Sequence, residues 1–319
     1  MTDQPTTALK VLVTGASEAL GREVVRQLVT RGHQVAAVTG TVQGAGELRQ
    51  DGALPIYSSL FRPGELASNL KMFEADVIVN AAPQVINAFP PYQPDWDGWV
   101  NLLHEGTLAL VEAAQATGVK YIVHTSFAFL YGDKHGEAVD ESAKIATSNP
   151  LFKAAADAEK VILNSGIPAS VLRAGFLYGP ESGTVLGLRD ALRGSAALPL
   201  GDDHNVVNWV HTLDLAQAIV LAAEQQPANE IFNIVDDQPV SAGTFADHFA
   251  DQYGVKRPGR QRMPGVLAQF LVNPNQQALL DVSAAATNTK AKNQLGWTLK
   301  YPNQHAGVEQ TLLAWRAHS

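Results

Sequence analysis

Side chains able to move a proton gather at three places in this chain. Ser126, Tyr131 and Asp133 follow one short apolar run, Tyr178 and Glu181 follow a second, and His204, Asn208 and His211 belong to a later stretch. A phenol can give or take a proton while a neighbouring hydroxyl positions a substrate oxygen, which makes Ser126 and Tyr131 the candidate catalytic pair. A different chemistry is written into V-L-V-T-G-A-S-E-A-L-G, Val11 to Gly21. It reads as a strand, a glycine turn and a helix start, the arrangement that seats a pyrophosphate on a helix N-terminus. No metal site is expected: Asp202, Asp203 and His204 are consecutive, and consecutive side chains seldom converge on one ion.

The elements that must position these groups follow from periodicity. Lys10 to Val13 is a β-branched and aliphatic run entering the glycine turn, and Glu23 to Thr30 has helical spacing with Gly32 as its stop. Val35 to Val38, Asp76 to Asn80, Tyr121 to Thr125, Ala169 to Arg173 and Ile231 to Val235 read as further strands, with a clear helix at Thr107 to Thr117. Pro150 to Glu159, P-L-F-K-A-A-A-D-A-E, opens a helix whose apolar face holds Leu151, Ala155, Ala158 and Ile162. Strands alternating with helices predict a parallel, doubly wound sheet. After Tyr178 glycine and proline become frequent, which predicts a smaller C-terminal lobe over the sheet edge where ligands of such folds bind.

Composition narrows the partners. At 319 residues, 46% hydrophobic and 17% charged, the chain is an ordinary globular protein, and its net charge of −8 argues against nucleic acid and anionic membranes. Absence of cysteine removes disulfides, thiolate catalysis and Cys-ligated zinc. Neither a secretory leader nor an apolar run of membrane-spanning length is visible, so a cytoplasmic location is expected.

Together with N-A-A at Asn80 to Ala82, L-Y-G-D at Leu130 to Asp133, R-A-G-F-L-Y-G-P at Arg173 to Pro180, W-V-H-T-L-D-L-A at Trp209 to Ala216 and L-G-W at Leu295 to Trp297, the glycine turn gives the chain a family likeness. From Lys10 to Trp315 it resembles the extended short-chain dehydrogenase/reductases, which include NAD-dependent nucleotide-sugar epimerases and dehydratases. The resemblance implies an α/β fold, a Rossmann-type doubly wound parallel sheet over 1–178 and 206–236, with a smaller substrate lobe over 179–205 and 237–319. It implies NAD or NADP as cofactor, held at Gly15, Ser17, Glu18, Ala19, Leu20, Thr39, Asn80, Ala81, Ala82, Thr125 and Tyr178. A small-molecule ligand would occupy the inter-lobe cleft. A homodimer is implied through the helices beginning near Trp96 and Pro150, with the small residues Ala154 to Ala156 permitting close approach and the aromatics of Pro94 to Val100 serving as core or interface.

The chain departs from the family pattern at informative places. The motif T-G-x-x-G-x-x-G is met by Thr14, Gly15 and Gly21, but Glu18 stands at the middle glycine, and a carboxylate ~5 Å from a phosphate costs on the order of 1–3 kcal/mol. The second strand ends V-T-G-T, with neither the acid that binds the ribose hydroxyls of NAD nor an arginine for NADP, and Y-S-S-L-F at Tyr57 to Phe61 lacks an aspartate beside the adenine. Weak dinucleotide binding is the expectation.

Family chemistry rests on Ser or Thr, Tyr, and Lys four residues after the Tyr. Counted from Pro150, the Tyr and Lys positions are Leu151 and Ala155, or Phe152 and Ala156 one residue on, and no tyrosine in the chain has Lys four residues later. Counted back from Tyr131, the Ser position falls on Phe127, beside Ser126. Two functions follow as expectations. The first is a non-oxidoreductase ligand-binding protein or pseudoenzyme. The alternative is an NAD(P)-dependent isomerase, lyase or reductase of a nucleotide sugar or other small carbonyl substrate, its acid supplied by Tyr131 or Tyr178.

Overall fold

The computed structural model describes residues 8–82, 95–194, 197–260 and 273–317. Pro94, the part of the proline- and glycine-rich loop from Gln261 to Gly265, and the first seven residues lie outside them. Seven strands form one sheet: β1 (Lys10–Thr14), β2 (Gln34–Thr39), β3 (Leu54–Tyr57), β4 (Val77–Asn80), β5 (Tyr121–Phe127), β7 (Ala169–Ala174) and β10 (Glu230–Ile234). Their order is β10-β7-β5-β4-β1-β2-β3 and every pairing is parallel. The order reverses between β1 and β4, and the crevice outside the strand ends at such a switch point is where these sheets receive ligands.

Alternation along the strands divides the core between the two faces. Val11 and Val13 pack with Val24 and Leu28 of helix α1 (Ala19–Thr30) and with Leu215 and Ile219 of a later helix. Leu12, Ile78 and Ile122 face Leu66, Leu70 and Leu110 on the other side. Each such aliphatic side chain contributes roughly 1.5–3 kcal/mol by leaving water. The remaining helices of the wound region are α2 (Val42–Gln50), α3 (Pro63–Phe73), α4 (Trp96–Asn101), α5 (Thr107–Gln115) and α6 (Pro150–Leu163). Between α4 and α5, Leu102–Gly106 widens into a π-turn, so the two run as one helix whose faces shift by a residue midway. Pro150 opens α6 at a position that needs no N–H, and the Asn149 side chain accepts from the Leu151 amide at 2.9 Å.

Two small parallel sheets extend this plan. β8 (Phe176–Tyr178) pairs with β9 (Trp209–His211), and β6 (Asp133–Val139) pairs with β11 (Ser283–Ala286), so Asp133–Val139 joins a segment from the far end of the chain. The later helices are α7 (Gly183–Arg193), α8 (Thr212–Gln225), α9 (Ala242–Tyr253), α10 (Pro274–Leu280), α11 (Thr289–Gln294) and α12 (Gln304–Ala317). Asp214 explains two of the sequence motifs together. Its carboxylate accepts from the Lys300 and Tyr301 amides at 2.8 and 2.9 Å, and its carbonyl accepts from the Trp297 indole at 2.9 Å. Among the described residues no helix is long and apolar enough to cross a membrane.

Candidate functional site

The glycine turn is built tightly enough to need its glycines. Gly15 has φ +67°, and a Cβ there would lie 2.6 Å from the Ala81 carbonyl oxygen and from the Ala82 Cα. A Cβ on Gly21 would lie 2.2 Å from the Gly15 carbonyl oxygen. Ala81 and Ala82 thus earn their place by backbone contact with the turn. Helix α1 begins at Ala19, Leu20 packs beneath it, and Glu18 is the residue before it, exposed and making no side-chain cap. The first amides of the helix therefore have no competing side-chain oxygen, and a pyrophosphate fits there by the general affinity of helix N-termini for anions. Because Glu18 is exposed, its repulsion of a phosphate is that of a carboxylate in water, about 1 kcal/mol at 4 Å.

At the end of β2, hydroxyls take the place of an acid. Ser17 donates to the Thr39 hydroxyl at 2.9 Å, Thr41 accepts from the Gly44 amide at 3.0 Å, and a Cβ on Gly44 would lie 2.6 Å from the Thr39 oxygen. Arg22, on the neighbouring helix, is held by Asp51 at 2.9 Å and Glu47 at 3.0 Å. Beneath the switch point, Thr14 donates to Asn80 at 2.7 Å and Asn80 meets His124 Nδ1 at 3.0 Å. Burial holds His124 down to about 4, so its ring is neutral and an acceptor at this nitrogen. The neighbouring Thr125 hydroxyl is buried without a hydrogen-bond partner.

Ser126 and Tyr131 are brought together, in a buried network and not in an open pair. Ser126 donates to Glu159 at 2.6 Å, and Arg173 grips both oxygens of that carboxylate at 3.0 and 2.7 Å. Arg173 also donates to the Tyr131 hydroxyl at 3.1 Å, which in turn donates to Asn233 at 2.7 Å. Burial raises the Tyr131 phenol above its ordinary value, with the Arg173 charge opposing. The hydrogens that could serve chemistry are engaged in cross-linking β5, β7, β10 and α6. Glu159 was open to view as the one acid on the apolar stripe of α6, a turn beyond Ala155.

Tyr178 ends β8 and packs against β9, α9 and α12. Its ring lies edge-on to His211 and Phe245 at 5.2 and 5.4 Å between centroids, its hydroxyl donates to the Asn303 carbonyl at 3.2 Å, and a Cβ on Gly307 would lie 2.3 Å from it. Burial lifts its phenol well above the ordinary value. Of the other polar groups singled out in the sequence, His204 is exposed, and Asn208 spans β11 by bonds of 2.8 and 2.9 Å to Ala284 and Ala286. His211 caps α8 by accepting from the Leu213 amide at 3.2 Å.

Leu151 and Ala155 are buried, at 0% and 1% exposure, inside the same apolar cluster as Phe127, Phe129 and Phe152. Rings continue through this region: Trp99 to Phe127 at 5.7 Å, Phe127 stacked on Phe129 at 4.7 Å, Phe129 to Phe152 at 5.1 Å and to Phe176 at 6.4 Å. Sequence spacing did not reveal this series because its members come from a strand, the turn after it, two different helices and a second sheet. Ala154 and Ala155, the small residues expected to permit close helix approach, belong to this same cluster, and Ala156 beside them is fully buried within the chain.

Comparison with known proteins agrees with this architecture. A 3-diazoavenalumate denitrifying reductase from a Streptomyces species is 29% identical over 311 residues, covering 94% of this chain and 99% of that protein. The UDP-glucose 4-epimerase of Thermotoga maritima, solved with UDP-glucose, superposes with a TM-score of 0.80 at 23% identity, covering 97% of this chain and 99% of that one. The dTDP-glucose 4,6-dehydratase of Bacillus anthracis, solved with NAD, gives 0.77 at 20% identity and 98% coverage of both. The sequence pattern of one family matches residues 11–235, across the glycine turn, the switch point and α6. The chain belongs to the NAD-dependent epimerase/dehydratase family.

Proposed function

We propose that this protein binds NAD(P) and acts as a reductase whose acceptor needs no proton from the helix at Pro150. One observation carries the proposal: Leu151 and Ala155 occupy the Tyr and Lys positions as buried apolar residues, while the hydrogens of Ser126 and Tyr131 are given to Glu159 and Asn233. A bound dihydronicotinamide would supply a hydride. The chain's own part is to hold the pyrophosphate at the Gly15–Gly21 turn and to keep water from the apolar face of α6. An alkoxide made from an ordinary ketone would find no donor on that face. An acceptor that spreads the electron pair through a conjugated system, or expels it with a leaving group, needs none. The Streptomyces relative is named for a diazo compound, which is of that kind. A carbon bearing such a group would need hydride alone, since the C–N bonding pair would leave with dinitrogen and no alkoxide would have to be protonated.

Interconversion of nucleotide sugars is not the reaction proposed, since the Tyr178 hydroxyl is likewise engaged, on Asn303. A second reading, a non-oxidoreductase ligand-binding protein, is favoured by the neutral end of β2, where Thr39 and its hydroxyl neighbours replace a ribose-binding acid. A cytoplasmic setting, with its NAD(P) pool, is part of either proposal. Calorimetric titration with NADH and NADPH separates the two. The reductase proposal expects a Kd tighter than about 100 µM, roughly −5.5 kcal/mol, for one of them. Heat of dilution alone would leave the ligand-binding reading in its place.

A further inference from the structure

We propose that the substrate half of the cleft takes a flat, conjugated or aromatic molecule stacked at the Trp99 end of the ring series, and not a sugar linked to a nucleoside diphosphate. The inference deepens the reductase reading and rests on it for the cleft's being a substrate site.

Two independent features of the site support it. A sugar is recognised by many hydrogen bonds, and the places from which the family's Ser and Tyr would supply them are Phe127 and Leu151, both at 0% exposure. Phe129, Phe152 and Phe176 surround them with more ring and no donor, at 4%, 3% and 6% exposure. The series surfaces at Trp99 of α4, which is only half-buried and lies 5.7 Å from Phe127. Offset or tilted contact with such rings suits another π-system, whose own face needs no hydrogen bonds.

The second feature is where two arginines of the C-terminal lobe, among the described residues, are spent. A diphosphate calls for uncommitted arginines that can meet it in bidentate fashion. Arg260 instead bonds Asp247 at 2.9 and 3.0 Å and Asp203 at 3.1 Å, and Arg257 bonds Asp251 at 2.8 and 2.6 Å. A Cβ on Gly243 would fall 2.0 Å from the Asp203 carboxylate, so α9 begins directly against this carboxylate–guanidinium pair. A diphosphate approaching there would meet Asp203 and Asp247 together with the arginine they already neutralise.

The test is calorimetric titration of the whole protein with 2-naphthoate and with UDP-glucose, each with and without NADPH. The proposal expects saturable binding of 2-naphthoate that UDP-glucose does not displace. It also expects about tenfold weaker binding in Trp99→Ala and recovery in Trp99→Phe, as loss and return of one stacking partner should give. If Trp99→Ala fails to fold by circular dichroism, Trp99→Leu, which keeps apolar bulk without a π-face, makes the same comparison. Absence of 2-naphthoate binding, its displacement by UDP-glucose, or equal affinity in the ring-less variant would overturn the proposal. The NADPH titration is read separately: its failure would remove the reductase reading, while loss of the naphthoate result alone would leave that reading standing.

Discussion

Arg173 and Glu159 have side chains only 5% and 4% exposed, and each is the other's main compensation for leaving water. Removing one member leaves an unpaired buried charge, a change that typically costs 3–5 kcal/mol, whereas the pair itself need not add net stability. Glu159→Ala should therefore lower the unfolding free energy by about 3–5 kcal/mol in urea. Ser126→Ala, which deletes one hydrogen bond to a carboxylate, should cost about 1.5–3 kcal/mol. Parental stability in Glu159→Ala would mean that Arg173 has another partner within reach and that the network holds Ser126 and Tyr131 less firmly than described.

Helix α6 decides at the scale of an element what the family's chemistry can be here. Leu151→Tyr with Ala155→Lys restores the residue types of a proton relay, but it places an ammonium on a face whose parent residues are 0% and 1% exposed. The double variant should lose about 1–3 kcal/mol of stability and show no change at 340 nm with NAD(P)H and keto sugars. Oxidation of NAD(P)H with such sugars at undiminished stability would show that α6 needed only these two groups. Much of the wound sheet was legible in the sequence because buried parallel strands are short aliphatic runs, and the helix at Pro150 because proline and alanines announce it. The Asp133–Val139 strand was not, since its partner at Ser283–Ala286 lies far along the chain and an exposed strand carries no apolar run. Neither was the π-turn at Leu102–Gly106, which leaves the composition of a helix unchanged. At the site, the turn glycines declared themselves. Arg173–Glu159 did not, because an ion pair between a strand and a helix has no sequence spacing of its own.

For the molecule as a whole, the three buried groups pushed furthest between pH 4 and 8 dominate the response to pH, the smaller shifts of Asp214 upward and His248 downward opposing each other. Burial holds His124 and His211 down to about 4, so between pH 4 and 6.5 the unfolded chain binds protons that the native chain refuses, and stability rises with pH. Burial pushes the Asp236 carboxyl up to about 8 from an ordinary 3.8, so over pH 4 to 8 the native chain keeps a proton the unfolded chain has lost. That single group lowers stability as pH rises, by about 1.4 kcal/mol per unit. Two histidines outweigh one aspartate below pH 6.5, and above it the aspartate acts alone. The melting temperature should peak near pH 6.5, and Asp236→Asn should flatten the upper limb while leaving the lower one rising. A parental profile unchanged by Asp236→Asn would contradict the assignment. The homodimer proposed through α4, α5 and α6 has a modest apolar surface to cover: Trp96 and Val100 are half-buried and Leu108 is 41% exposed, while Lys153, Asp157 and Lys160 pair across the outer face of α6. Weak association is expected, with light scattering moving from 34.1 kDa towards twice that value as concentration rises.

The central claim is that hydride transfer here proceeds without a proton from α6. NADPH oxidation at 340 nm, with two aromatic acceptors of the same ring system, tests it most directly. A naphthoquinone accepts hydride and delocalises the charge, while an acetonaphthone forms an alkoxide that must be protonated. The account predicts protein-dependent oxidation with the quinone and none above background with the ketone. Equal rates with both, or turnover of the ketone alone, would contradict it.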